Sequence, residues 1–154
     1  MYDIAPLYHT RRTRLLLVLR KNAKVELIKR VPLFSHCSKK ELGLVAQIAD
    51  EIDLPEGKAL MREGDRGREF FVLVEGNADV RKGNRKINTM SKGDFFGEIA
   101  LVSQKPRTAT VTTASPVRVL VVTEQSFRSL IDRAPDVQRK VLLALADRVA
   151  SDSI

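Results

Sequence analysis

At 154 residues, with 44% hydrophobic and 30% charged side chains, the chain has the size and balance of one folded domain with a single core, which excludes an intrinsically disordered chain. The lone cysteine, Cys37, cannot form an internal disulfide, and the apolar run at residues 15–19 falls far short of the ~20 residues a bilayer-spanning helix needs, so a reducing, cytoplasmic setting is expected. The formal charge of +8 is concentrated at the front: residues 1–40 hold ten Lys or Arg against Asp3 and Glu26, while residues 41–154 hold 17 basic and 17 acidic side chains, which argues against a nucleic-acid groove in the main body.

The leading segment, about residues 10–31, combines good helix formers with apolar positions at Leu15, Leu16, Leu19, Val25 and Ile28, a pattern interrupted by Asn22. Pro32 ends it, because the residue before a proline is pushed out of helical space. Arg11, Arg12 and Arg14 imitate the charged start of a signal peptide, yet the apolar run behind them is too short for one. Ser38 then caps a helix over 39–49, with Glu41 in the position of a capping-box partner.

From residue 51 to 122 the texture becomes that of a β protein. Seven β-rich runs (52–54, 59–62, 70–74, 78–81, 86–90, 108–113 and 117–122) are separated by glycines at 57, 64, 76, 83 and 93. Such spacing fits an antiparallel sandwich or barrel. The helical period returns after Val122, with a helix over 124–132 and a last one from Pro135 to about residue 150. Its apolar face is expected to carry Val137, Val141, Leu142, Leu145 and Val149.

One string holds most of the functional content: Gly93-Asp94-Phe95-Phe96-Gly97-Glu98-Ile99-Ala100-Leu101-Val102-Ser103-Gln104-Lys105-Pro106-Arg107-Thr108-Ala109-Thr110-Val111. Gly97 and Glu98 open a short helix, and Arg107 follows nine residues after the carboxylate. The first turn of such a helix exposes amide hydrogens suited to a phosphate, and Gly97 lets a ligand approach the backbone. An arginine can present two parallel N–H donors to phosphate oxygens, and an ionised glutamate accepts from a ribose hydroxyl. The same two residues could instead form an ion pair bracketing a surface loop.

This string resembles the phosphate-binding cassette of the cyclic nucleotide-binding domain family, and the resemblance extends over roughly residues 30–150. It implies an α+β fold, an eight-stranded antiparallel jelly-roll-like barrel with N-terminal helices and C-terminal lid helices; the eighth strand comes from the resemblance alone. It implies that Glu98 holds the ribose, Arg107 the cyclic phosphate and Thr108 the phosphate or purine, with Gly97, Ile99, Ala100 and Ala109 completing the ligand-binding set. The stretches Glu63-Gly64-Asp65 and Phe70-Phe71-Val72-Leu73-Val74-Glu75-Gly76 are similar to the family's strand-turn-strand core. The expected ligand is cAMP or cGMP, with cAMP favoured, and no cofactor is expected. The last helix resembles the family's lid, hinged at 133–135, with Leu145, Arg148 and Val149 as base-facing contacts.

The expected organisation is a basic N-terminal helical segment, 1–31, followed by a cyclic nucleotide-binding domain, 32–154. No metal is expected, since His9, His36 and Cys37 cannot supply a zinc set. No catalysis is expected either, since Ser103 has no histidine context. A cupin-like oxygenase needs histidines on strands, and both histidines precede the β region. In the catabolite-activator relatives a helix-turn-helix domain follows the lid, whereas four residues follow Ala150 here, so no DNA-binding domain is expected. A protein effector or a second copy is the expected partner, with membrane association only through residues 10–31. The alternative is a nucleotide-independent interaction module acting through its basic N-terminal helix.

Overall fold

The computed structural model describes residues 20–152, so most of the basic segment, including His9 and the 10–19 part of the helical segment expected over 10–31, lies outside the described residues. The described chain divides into a β unit, Asp50–Glu124, and a helical unit drawn from residues 20–49 and 125–152.

In the helical unit, α1 (Lys21–Ile28) is followed by a 3-10 turn, Pro32–Phe34, and by α2 (Lys39–Gln47). Asn22 lies inside the first turn of α1 rather than interrupting it, and Pro32 opens the 3-10 turn. Ser38 caps α2 as expected. Its hydroxyl accepts from Glu41 N at 3.2 Å, and Glu41 Oε1 accepts from Ser38 N at 2.8 Å, satisfying two end-of-helix donors reciprocally. Helices α3 (Glu124–Arg133) and α4 (Pro135–Asp152) close the described chain. Phe34 meets Phe127 edge-to-face with centroids 6.1 Å apart. An ion pair between Glu41 and Lys140 and a hydrogen bond between His36 and Asp147 tie the first part of this unit to α4.

The face of α4 differs from the one expected. Val137, Val141 and Ala144 are buried, while Leu142 and Val149 are 60% and 66% exposed and Leu145 is half-buried. The apolar residues of this helix run nearly all round it, and a spacing of three and four from Val137 selects the stripe that is used.

The β unit holds eight strands: β1 (Asp50–Leu54), β2 (Ala59–Met61), β3 (Glu69–Glu75), β4 (Ala78–Lys82), β5 (Arg85–Met90), β6 (Phe95–Phe96), β7 (Thr110–Thr113) and β8 (Val117–Thr123). Seven match the expected runs, and the eighth is β6. The α+β class and the antiparallel jelly-roll arrangement hold. The strands form two four-stranded sheets, ordered β1-β8-β3-β6 and β2-β7-β4-β5, and not a closed barrel. Closure needs a ladder between the sheet edges, and among the described residues none joins them. β6 is two residues long and β5 is an exposed edge rich in charge.

The inner faces of both sheets meet in a core that includes Ile52, Leu60, Phe71, Leu73, Val80, Val111, Val119 and Val121. Strands β3 and β8 are buried on both faces, which is why residues 70–74 and 119–122 read as continuous apolar runs rather than an alternation. Phe96 of β6 pairs with Phe71 of β3, and their rings stack at 5.2 Å. That pairing brings the end of β6 against the start of β3. Among the described residues no helix is long and apolar enough to cross a membrane.

Candidate functional site

Where β6 ends, the chain must turn sharply to leave β3. Gly97 makes the turn with φ +81°, a left-handed conformation costing an L-residue roughly 1–2 kcal/mol. A 3-10 helix, Glu98–Leu101, follows directly. Its one closing bond from the glycine engages Ala100 N, which donates to Gly97 O at 3.0 Å. The amide of Ala100 is therefore spent, and the N–H groups of Glu98 and Ile99 have no acceptor within reach among the described residues. Ile99 and Thr108 are exposed, Glu98 is half-buried, and Ala100 and Ala109 are buried.

Arg107 is fixed from three sides. Its backbone is clamped by the β2–β3 connection: Arg107 N donates to Asp65 O at 2.7 Å and Gly64 N donates to Arg107 O at 2.9 Å, beside an isolated bridge between Arg66 and Pro106. Its side chain is only 7% exposed. Nη2 donates to Glu69 O at 2.6 Å and Nη1 to Gly97 O at a longer 3.4 Å. Gly67 and Gly97 make room for it, since a Cβ would come within 2.9 Å of the guanidinium from Gly67 and within 2.6 Å from Gly97. Burial pulls the guanidinium's pKa down from its usual value, and the neighbouring Glu69 charge opposes that shift.

The carboxylate beside Arg107 belongs to Glu69, with Oε1 3.7 Å from Nη2. Among the described residues no ion pair joins Glu98 to Arg107, so the loop-bracketing pair does not form. A small cleft runs alongside, lined by Arg62, Arg66, Arg68 and Arg107, by Asp65 and Glu69, and by Leu60 and Met61. Two of its four cations already have carboxylate partners, Arg66 with Glu124 at 3.1 Å and Arg107 with Glu69. Glu98 and Thr108 do not line it.

The structure thus gathers Gly97, Glu98, Ile99, Ala100 and Arg107 around one turn. Thr108 and Ala109 follow Arg107 toward β7. Leu145 and Val149 lie on α4, in the helical unit. The sequence reading missed Glu69 and Gly67. Glu69 is 38 positions from Arg107, and nothing local marks the contact; its only signal is its place just before the apolar run of β3.

The family described as the cyclic nucleotide-binding domain matches residues 51–134. A cAMP-dependent protein kinase regulatory subunit of Mycosarcoma maydis is 41% identical over 113 residues, covering 66% of this chain and 21% of its own length. The N-terminal domain of a transcriptional regulator from Streptomyces coelicolor superposes with a TM-score of 0.76 at 24% identity, covering 82% of this chain and 94% of its own, which bears on the fold alone. The regulatory domain of Toxoplasma gondii PKA, crystallised with cAMP, has a TM-score of 0.65 at 26% identity, covering 87% of this chain and 51% of its own. The chain spans about a fifth to a third of the length of the curated relatives it matches.

Proposed function

The chain belongs to the cyclic nucleotide-binding domain family, a regulatory and non-catalytic domain type, and from that premise we propose that it is a sensor binding cAMP in preference to cGMP through the turn at Gly97 and the side chain of Arg107. The observation that carries the reading is the buried guanidinium. Burying a charge is costly unless it is paired and hydrogen-bonded, and here it is held at 7% exposure with backbone carbonyls on two of its nitrogens. The fork retains further N–H capacity to offer an anionic oxygen.

A cyclic nucleotide presents one negative charge on its diester, a free 2′-hydroxyl and a flat purine. In the proposed complex Arg107 and the free amides of Glu98 and Ile99 meet the diester, and Glu98 accepts from the ribose hydroxyl. Charge-assisted hydrogen bonds contribute roughly 1.5–3 kcal/mol each, so a few of them with purine burial reach the ~8 kcal/mol of a micromolar complex. Thr108, exposed beside Arg107, offers a hydroxyl to the purine or the phosphate.

Signal transmission is assigned to α4 acting as a lid over the base through Leu145, Arg148 and Val149. The exposed Val149 and half-buried Leu145 supply apolar surface for that cover. Such a switch requires different ligand affinity in its two lid positions. The downstream partner on this reading is a protein effector or a second copy.

Calorimetry with cAMP, cGMP and linear 5′-AMP tests the proposal. Wild-type chain is expected to bind both cyclic nucleotides and to discriminate against the linear one. Arg107→Ala is expected to lose about 3 kcal/mol, roughly a hundredfold, because it leaves anionic oxygens unpartnered. Unchanged affinity in that variant would remove Arg107 from the role.

A further inference from the structure

The carboxylate facing Arg107 belongs to a residue with no assigned part in ligand binding. We infer that Glu69 is a fixed counter-ion that sets the affinity of this site, holding the charge of Arg107 in the empty state and opposing the ligand's diester in the filled one. The inference rests on the cyclic-nucleotide reading and concerns the same site.

Glu69 acts twice on one guanidinium. Its carbonyl accepts from Arg107 Nη2 at 2.6 Å, a full hydrogen bond, while its carboxylate stands off at 3.7 Å from the same nitrogen. At that distance the carboxylate is an ion-pair partner without occupying a donor. It compensates the charge of Arg107 and leaves the remaining N–H groups to be claimed by an incoming anion. The position is rigid. Glu69 opens β3 in register with Thr123 of β8, and the guanidinium is wedged between the open faces of Gly67 and Gly97.

Both members are sheltered, with the guanidinium 7% and the carboxylate 28% exposed, so water screens the pair only in part. A diester arriving at Arg107 enters the field of a like charge already in place. Without Glu69 the empty site would hold a poorly compensated buried cation, and the filled site would lose a repulsion. Both effects act in the same direction, toward tighter binding of an anion. The neutral parts of the ligand sense neither.

The test uses the full chain as wild type, Glu69→Gln and Glu69→Asp, titrated by calorimetry with cAMP and with adenosine, which lacks the diester. Glu69→Gln is expected to bind cAMP roughly tenfold more tightly, as removal of one partly screened like charge implies, with adenosine affinity unchanged. A purely structural role would move both ligands together. Glu69→Asp keeps the charge but draws it back by one methylene. It is expected to fall between the other two, and it carries the test should Glu69→Gln fail to fold. Wild-type binding of cAMP with neither variant binding tighter, or with cAMP and adenosine shifting in parallel, overturns the inference and leaves the cyclic-nucleotide reading standing. Absence of cAMP binding by the wild type defeats that reading and this inference together.

Discussion

Gly97→Ala offers a sharp test of how the site is built, because the structure separates its cost into two parts. The first is the backbone: φ is +81°, and an L-residue there loses roughly 1–2 kcal/mol. The second is contact. A Cβ at position 97 would lie 2.6 Å from Arg107 Nη1 and 2.9 Å from Glu69 O. Glu69 O belongs to a strand in register with β8 and cannot retreat alone, so the guanidinium must move. Overpacking of this kind costs about 1–3 kcal/mol. Gly64→Ala isolates the first part, since Gly64 has φ +87° and a Cβ there meets no heavy atom within 4 Å. Urea unfolding is therefore expected to show a loss of roughly 1–2 kcal/mol for Gly64→Ala and roughly 2–5 kcal/mol for Gly97→Ala. Calorimetry should find cAMP affinity nearly intact in the first variant and strongly reduced in the second. Equal losses of stability in the two variants, with equal retention of binding, would refute the claim that Gly97 is required for the seat of Arg107.

Three further outcomes are expected. The hydrogen bond from Lys140, followed by the backbone N–H of Ser38, holds the Glu41 carboxyl below its ordinary value of 4.5; its stabilising contribution is complete above that value and disappears as pH falls through the lower native one. Lys140→Met should flatten that acid limb in pH-dependent urea melts, and an unaltered limb would remove the pair from the account. Burial, reinforced by the Glu41 charge, pushes the Cys37 thiol from 9.0 up to about 11, so iodoacetamide at pH 8 should alkylate native chain about a hundredfold more slowly than unfolded chain; comparable rates would contradict the burial. Thr108→Ala, at an exposed position, should leave the melting temperature unchanged and lower affinity for cGMP but not for cAMP. Equal cGMP binding in the variant and the wild type would show that the hydroxyl does not read guanine.

What could be read in the chain is what short-range chemistry encodes. The Ser38–Glu41 capping box spans four residues and closes on itself. Residues 70–74 and 119–122 announce strands because a continuous apolar run has few other places to go. The turn-and-helix start at Gly97 and Glu98 with its following arginine is one continuous string, so its elements needed no fold to be recognised. β6 was beyond reach, since two residues carry no period and their pairing with β3 depends on Phe71 being there. The face of α4 was misassigned at Leu142 and Val149 because an apolar helix does not state which of its stripes will be covered.

The same division runs through the site. Sequence alone marked the residues proposed to bind the anion, because they lie in a run short enough for backbone geometry to hold it. The tertiary structure decided the electrostatics. It placed Glu69 rather than Glu98 against Arg107, buried the guanidinium, and opened two glycine faces to admit it. A charge's partner and its exposure depend on strands that meet only when the sheets assemble, and local composition holds no record of that meeting.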